Sequence, residues 1–186
     1  TLVEFAMEAL EAQRFAILYP RDSYGQSFKN LFWDEVERRG GVVVGVEGYP
    51  AGAVDIQEEV KKLVGLHYLT DAERERIKRR DRLERRREEN QAELRTPELV
   101  ELPPYIDFDA LFIPDAAAQL GVVLPQLRFY DVADVALLGP SDWNDPKLLE
   151  LAANEAEGAV FVDTFDPRSE APEVKRFVER YFAAYG

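Results

Sequence analysis

The stretch FAILYPRDSYGQSFKNLFWDEVERRGGVVVGV, residues 15–46, contains a complete strand–helix–strand unit. Its two ends, FAILY at 15–19 and VVVGV at 42–46, are short apolar runs without alternation of polar and apolar residues. Such runs, rich in β-branched and aromatic residues, are typical of strands that are buried on both faces. Between them, apolar side chains recur at the helical spacing i, i+3, i+4 and i+8: Phe28, Leu31, Phe32 and Val36. The stretch therefore predicts two parallel strands joined by an amphipathic helix.

The same rhythm continues to the end of the chain. Three further apolar runs lie at 110–113 (ALFI), 135–138 (VALL) and 159–162 (AVFV), and helical patterns separate them. With the amphipathic start TLVEFAMEAL, the order is one helix followed by five strand–helix units. Such alternation predicts a three-layer α/β sandwich with helices on both faces of a parallel sheet. For five strands we expect the flavodoxin-like order 2-1-3-4-5.

One segment interrupts this rhythm, between the second helix and the third strand. About forty residues, roughly 66–106, stand where a connection of 2–6 residues is usual. Residues 71–95 within it carry ten Lys or Arg and eight Asp or Glu. We interpret 1–186 as a single α/β lobe, and 66–106 as an insertion containing a long, charged, exposed helix.

Composition excludes several classes of function. The chain has no cysteine, which rules out disulfides, thiolate zinc sites and cysteine nucleophiles. Its formal net charge of −13 disfavours binding to nucleic acid or to an anionic membrane surface. No apolar run approaches the roughly 20 residues that span a bilayer, so we expect no membrane insertion by this chain.

The candidate binding residues follow the predicted strands. In an open parallel sheet, ligands bind outside the carboxyl ends of the strands, where carboxylates, hydroxyls and aromatic rings can recognise a polar solute. The residues of these loops that we select as ligand-binding candidates are Ser23, Tyr24, Asp115, Ser141, Asp142 and Trp143. Asp and Ser are also common helix caps and turn formers, so the same residues fit a purely structural role. The Trp143 ring could equally cover the edge of the sheet or stack on a ligand.

Aspartates at several strand ends could also hold Mg²⁺ in a phosphoryl-transfer enzyme. The sequence lacks the motifs of such enzymes, however, with no phosphate-binding G-x-x-x-x-G-K-[ST] loop, no G-x-G-x-x-G and no G-x-S-x-G. The acidic pair that receiver domains carry after their first strand is missing too. We therefore expect a protein that is not an enzyme, without catalytic residues, a metal site or a cofactor.

Taken in order, these segments resemble the second lobe of type I periplasmic binding proteins, the leucine-binding kind. The likeness runs through residues 14–65, DALFIPD (109–115), LLGPSDWNDPKLLELA (137–152), EGAVFVDTF (157–165) and PEVKRFVERYFAAYG (172–186). The resemblance implies an exported protein of the periplasm that holds an amino acid or a similar small polar solute in a cleft shared with a first lobe. A membrane permease of the ABC-transporter type would then be its partner.

The resemblance also implies roles for individual residues. Tyr24, in the Tyr-Gly loop, matches a tyrosine that contacts ligand in the family, and Asp115 or Ala116 matches a contact after the third strand. Amino-acid binders place an acidic residue directly after the turn of the fourth strand, where it receives the ligand ammonium. Here that place holds Ser141, with Asp142 one position later.

A second branch of the fold resembles other details. FDALFIPD, the stretch 125–131 (PQLRFYD) and LLG-x-x-x-Trp-Asn are similar to lobes of penicillin-binding-protein activators. These are outer-membrane lipoproteins that regulate peptidoglycan synthases. This branch implies a regulatory protein-interaction domain, with a synthase as partner and the charged insertion as a candidate contact surface.

Overall fold

The structure is a computed structural model that describes residues 1–67, 104–163, 165 and 167–185. The strands are β1 (Arg14–Pro20), β2 (Val42–Tyr49), β3 (Ala110–Phe112), β4 (Ala136–Gly139) and β5 (Val160–Phe161). The α-helices are α1 (Leu2–Ala9), α2 (Ser23–Arg38), α3 (Gln57–Leu63), α4 (Ala117–Phe129), α5 (Pro146–Ala152) and α6 (Pro172–Tyr185). One turn of 3₁₀-helix, Ser141–Trp143, follows β4. The described chain therefore begins with a helix and continues with five strand–helix units, as predicted.

The five strands form one sheet in the order β2-β1-β3-β4-β5, and every neighbouring pair is parallel. This confirms both the α/β class and the predicted 2-1-3-4-5 order. The main difference is the length of β2, which continues past the apolar run 42–46 to Tyr49. The extra residues belong to the strand because Leu18, Tyr19 and Pro20 of β1 pair with Glu47, Gly48 and Tyr49.

Alternate residues of the central strand β1 serve two separate cores. Phe15 and Ile17 pack with buried residues of α1 and α2 on one face of the sheet. Ala16 and Leu18 pack with buried residues of α3, α4 and α5 on the other face. Successive side chains of a strand point to opposite faces, so a non-alternating apolar strand fills both cores. The three-layer sandwich follows from this pattern.

Helix α2 begins directly at the carboxyl end of β1. The Asp22 side chain caps it by accepting a hydrogen bond from the Gly25 backbone amide at 2.7 Å. Gly25 is buried, and a Cβ atom there would lie 2.1 Å from the backbone oxygen of Pro20. Only glycine therefore allows the helix to start so close to the strand, and this tight turn fixes the position of Tyr24.

The opposite end of β1 is held by an aspartate from the connection before β3. Asp109 Oδ2 accepts hydrogen bonds from the backbone amides of Gln13 and Arg14, both at 2.8 Å. These bonds satisfy two amides at the point where the strand begins, and they link it to its neighbour β3.

The predicted charged helix at 71–95 lies outside the described residues, as does most of the predicted insertion at 66–106. Within the described ranges, none of the helices combines the length and apolar character needed to cross a bilayer.

Candidate ligand-binding edge

The candidate site lies at the carboxyl edge of the sheet, around its topological switch point. The chain passes from β1 to β2 on one side of β1, and then continues with β3 on the other side. The loops that leave β1 and β3 therefore diverge, which opens a crevice at their carboxyl ends. Tyr24 follows β1 and Asp115 follows β3, so the two flank this point.

A hydrogen bond between two predicted residues spans the edge. The Tyr24 hydroxyl donates to Asp142 Oδ2 at 2.9 Å, joining the start of α2 to the turn after β4. Tyr24 keeps 36% of its surface exposed, and its ring packs against Phe28 with centroids 4.6 Å apart. The phenol is partly exposed, the carboxylate is exposed, and both are already oriented. Each can therefore form a further hydrogen bond with an incoming polar group.

A second tyrosine–carboxylate pair lies beside the first one. The Tyr49 hydroxyl, at the end of β2, donates to Asp115 Oδ2 at 2.6 Å. Asp115 Oδ1 accepts from the backbone amide of Ala116 at 2.7 Å, so both carboxylate oxygens are held. The apolar pattern ended the second predicted strand at residue 46, so Tyr49 was not among the predicted site residues. Its position at the carboxyl end of a strand, directly before Pro50, was the available signal.

Both phenols are kept in their neutral form. Burial, followed by the hydrogen bond to Asp115, raises the pKa of Tyr49 far above the ordinary tyrosine value. Burial, followed by the hydrogen bond to Asp142, raises the pKa of Tyr24 as well. An ionised phenolate beside a carboxylate would bring two negative charges together, so each hydroxyl remains a donor at neutral pH.

Trp143 lies beneath the edge. Its side chain is 1% exposed, belongs to the core on the α3–α5 face, and donates from Nε1 to the Asp115 backbone oxygen at 3.1 Å. The ring lies so close to Gly139 that a Cβ atom there would be 2.1 Å from two ring atoms. Of the two roles considered for this tryptophan, the burial favours covering the end of the sheet. The Trp143 ring supports Asp115 from below.

The two predicted serines stand next to the Tyr24–Asp142 pair. Ser23 is exposed and Ser141 is half-buried, and neither hydroxyl makes a hydrogen bond to another described residue. Further along the edge, Asn144 Nδ2 donates to Asp163 Oδ2 at 2.6 Å, which links the loops after β4 and β5. The edge thus offers two available hydroxyls between fixed polar pairs.

The edge is acidic. It presents the carboxylates of Asp22, Asp115, Asp142 and Asp163. The nearby cation Arg21 is directed along β2 instead, because its guanidinium donates to the Gly48 backbone oxygen at 2.6 Å and to Glu59 at 3.1 Å. In the part of the chain that the structure describes, no group of three or more His, Cys, Asp or Glu side chains is arranged to hold a metal ion.

Comparisons with known proteins give matches at the level of structure. No protein-family model and no curated protein sequence matches the chain significantly. The solved structures that resemble it include a leucine-binding protein of Thermotoga maritima, with a TM-score of 0.65 and 19% sequence identity. Another is a type 1 periplasmic binding protein of Bordetella pertussis, with a TM-score of 0.62 and 18% sequence identity. A third is the branched-chain amino acid transporter substrate-binding protein of Streptococcus pneumoniae in complex with isoleucine, with a TM-score of 0.58 and 18% sequence identity.

These alignments cover 99–100% of this chain but only 39–41% of the three solved chains. The chain thus spans about two fifths of the length of the proteins it resembles. Its strand order, its six described α-helices and its parallel sheet match those of one lobe of such a protein. The chain has the fold of one lobe of a type I periplasmic binding protein.

Proposed function

We propose that this chain is the ligand-recognition lobe of an exported solute-binding protein, and that it binds small polar solutes carrying an ammonium group. The observation that carries the proposal is the Tyr24–Asp142 hydrogen bond across the switch point of the sheet. It places an anionic acceptor and a phenolic donor at the position where this fold offers a crevice.

The charge of the edge supports a cationic group on the solute. Its carboxylates attract an ammonium, while the guanidinium of Arg21, which follows β1, is engaged with Glu59. The proposed ligand contacts are Tyr24, Ser23, Asp115, Ser141 and Asp142. Asp142 would accept from the ammonium, and the two serine hydroxyls would serve the remaining polar groups. Trp143 would hold Asp115 in position from the core.

The proposal includes the setting of the protein. The solved structures of this fold include periplasmic binding proteins and substrate-binding proteins of ABC transporters. This likeness supports the proposal that the protein works outside the cytoplasm, with a membrane permease as its partner and a first lobe that supplies the other wall of the cleft. Hinge closure between the lobes would enclose the solute.

Solute binding is tested by calorimetry on the intact natural polypeptide. The panel contains neutral amino acids, amines without a carboxylate and carboxylates without an amine. Asp142→Asn and Tyr24→Phe remove one charge or one donor while keeping side-chain size. Asp134→Asn is the matched control, because Asp134 is an exposed carboxylate in the turn before β4, at the opposite edge of the sheet.

We expect the solutes that carry an amine to bind, and Asp142→Asn to weaken them by roughly 10- to 150-fold. That range corresponds to about 1.5–3 kcal/mol for a hydrogen bond to a charged group. Asp134→Asn should leave the affinity unchanged. Binding of carboxylates alone, or equal affinity in Asp142→Asn and the parent protein, would contradict the proposed ligand class.

A further inference from the structure

The α1–α2 face of the sheet is less completely covered than the opposite face. Buried residues of three helices, α3, α4 and α5, pack on one face, whereas only α1 and α2 supply buried helix residues to the other. Within the described part of the chain, a groove of about 320 Å³ remains beside α2 on this face. We call it the α2 groove.

The lining of the α2 groove is almost entirely apolar. Nine of its eleven residues are apolar, with glycine and proline counted among them. Phe32 and Phe112 are buried and stacked with ring centroids 4.1 Å apart, while Leu31 is 66% exposed. The one charged side chain in the lining is that of Glu35, and its carboxylate accepts hydrogen bonds from two arginines of the same connection. This size and this apolar character are typical of pockets that bind small ligands.

One end of the α2 groove meets the ligand-binding edge. On the side of α2 its lining begins at Phe28, whose ring packs against that of Tyr24 with centroids 4.6 Å apart. On the side of the sheet its lining includes Pro140, two positions before Asp142. The hydrogen bond from Tyr24 to Asp142 therefore joins the two sides where the groove reaches the edge. An ammonium at Asp142 would have the groove directly beside it.

The groove continues along α2, away from the edge. Leu31 lies seven residues after Tyr24, which corresponds to about 10 Å along the helix. The side chain of a leucine or isoleucine ligand, anchored by its ammonium at Asp142, is too short to cover this distance. A longer hydrocarbon chain covers it, so the groove distinguishes long chains from short ones.

We propose that the α2 groove holds the apolar chain of an amine-bearing solute whose ammonium is bound at Asp142, so that the ligand is a long-chain amine. The inference rests on the proposed function and narrows its ligand class. A hydrocarbon chain fits this lining because a polar group there would lose water without gaining a hydrogen-bond partner. A second copy of this chain is a poorer occupant, since its formal net charge of −13 would bring two strongly acidic surfaces together.

The test is calorimetry on the intact natural polypeptide with butylamine, hexylamine and octylamine, each below its micelle concentration. Burial of one methylene group should raise the affinity about fourfold, so octylamine should bind roughly 200-fold more tightly than butylamine. Equal affinities for the three amines would overturn the inference, because the chain would then remain in water or another part of the polypeptide would fill the groove.

A substitution locates the chain. Leu31→Gln should weaken the binding of octylamine several-fold and leave that of butylamine unchanged, because only the longer chain reaches Leu31. Leu149→Gln is the matched control, since Leu149 is 70% exposed on α5, which packs on the opposite face of the sheet. Circular dichroism checks that both variants fold. Octylamine affinity that is the same in folded Leu31→Gln and the parent protein would place the chain elsewhere and overturn the inference.

Asp142→Asn separates this inference from the proposed function. If the amines bind and weaken equally in Asp142→Asn but show no dependence on chain length, the proposed function stands and the inference falls. If affinity rises with chain length, is reduced in Leu31→Gln and is indifferent to Asp142→Asn, the groove stands as the site of the chain. The ammonium contact of the proposed function would then be removed.

Discussion

The substitution Trp143→Ala tests whether the Trp143 side chain stabilises the core or contacts the ligand. The ring is 1% exposed, packs over Gly139 and donates a hydrogen bond to the Asp115 backbone oxygen. Large-to-small changes at buried tryptophans cost about 3–5 kcal/mol, because contacts are lost and a cavity remains. A domain has a total stability of about 5–15 kcal/mol, so Trp143→Ala should remove about a fifth of it or more.

The assay is urea denaturation followed by far-UV circular dichroism. With an m value of about 2 kcal/mol per M, a loss of about 4 kcal/mol lowers the midpoint by about 2 M. Trp33→Ala is the matched control, because Trp33 is half-buried and donates only to the exposed Glu37 on its own helix. We expect this control to cost about 1 kcal/mol.

Two further variants define what the ring does. Gly139→Ala should destabilise by about 1–3 kcal/mol or more, because its Cβ would overlap the Trp143 ring. Trp143→Phe should fold with a smaller loss, since it keeps a ring in the cavity. A loss below about 1 kcal/mol for Trp143→Ala would refute the core role. Normal stability combined with lost solute binding in Trp143→Phe would favour stacking on the ligand.

Three further predictions concern the two ends of β1 and the tyrosines of the edge. Gly25→Ala should lower the unfolding free energy by about 1–3 kcal/mol in urea titrations, because its Cβ would collide with the end of β1; an unchanged midpoint would contradict the tight turn. Asp109→Ala should cost about 1–3 kcal/mol, because two backbone amides lose their acceptor, and Asp109→Asn should recover part of this loss. Burial raises the pKa of Tyr49 and of Tyr24 in the folded state, so unfolded chains lose these protons first as pH rises. The unfolding free energy should therefore be retained below about pH 10 and fall above it. The fall should be less steep in Tyr49→Phe. Equal slopes of the unfolding free energy against pH in this variant and the parent protein would argue against a buried Tyr49 hydroxyl.

The two tyrosine–carboxylate pairs give the edge its chemical character. Each joins elements that are far apart in sequence, with a separation of 118 positions from Tyr24 to Asp142 and of 66 positions from Tyr49 to Asp115. The carboxylates of Asp142 and Asp115 are oriented by the neutral phenols of Tyr24 and Tyr49. An arriving ammonium would therefore meet acceptors that need little rearrangement, which reduces the cost of binding.

The sequence by itself determined the α/β class, the positions of the five strands and the order of the sheet. These depend on local patterns, because apolar runs such as 15–19 and the helical spacing of Phe28, Leu31 and Phe32 record burial directly. The right-handed crossover then limits the number of possible sheet orders. Since the carboxyl ends of parallel strands meet at one edge, the sequence also placed Tyr24, Asp115 and Asp142 together.

Only the tertiary structure decided which of these side chains pair and which way they face. Tyr49 entered the site because β2 extends along β1 beyond its apolar run, and that register is set by backbone pairing between strands. Trp143 turned inward because Gly139, four residues earlier, leaves room for its ring. Helix α6 has the same amphipathic pattern as a core helix, yet none of its residues is buried in the described part of the lobe. Periodicity shows that a face must be buried, but the partner that buries it is fixed by packing across the whole molecule.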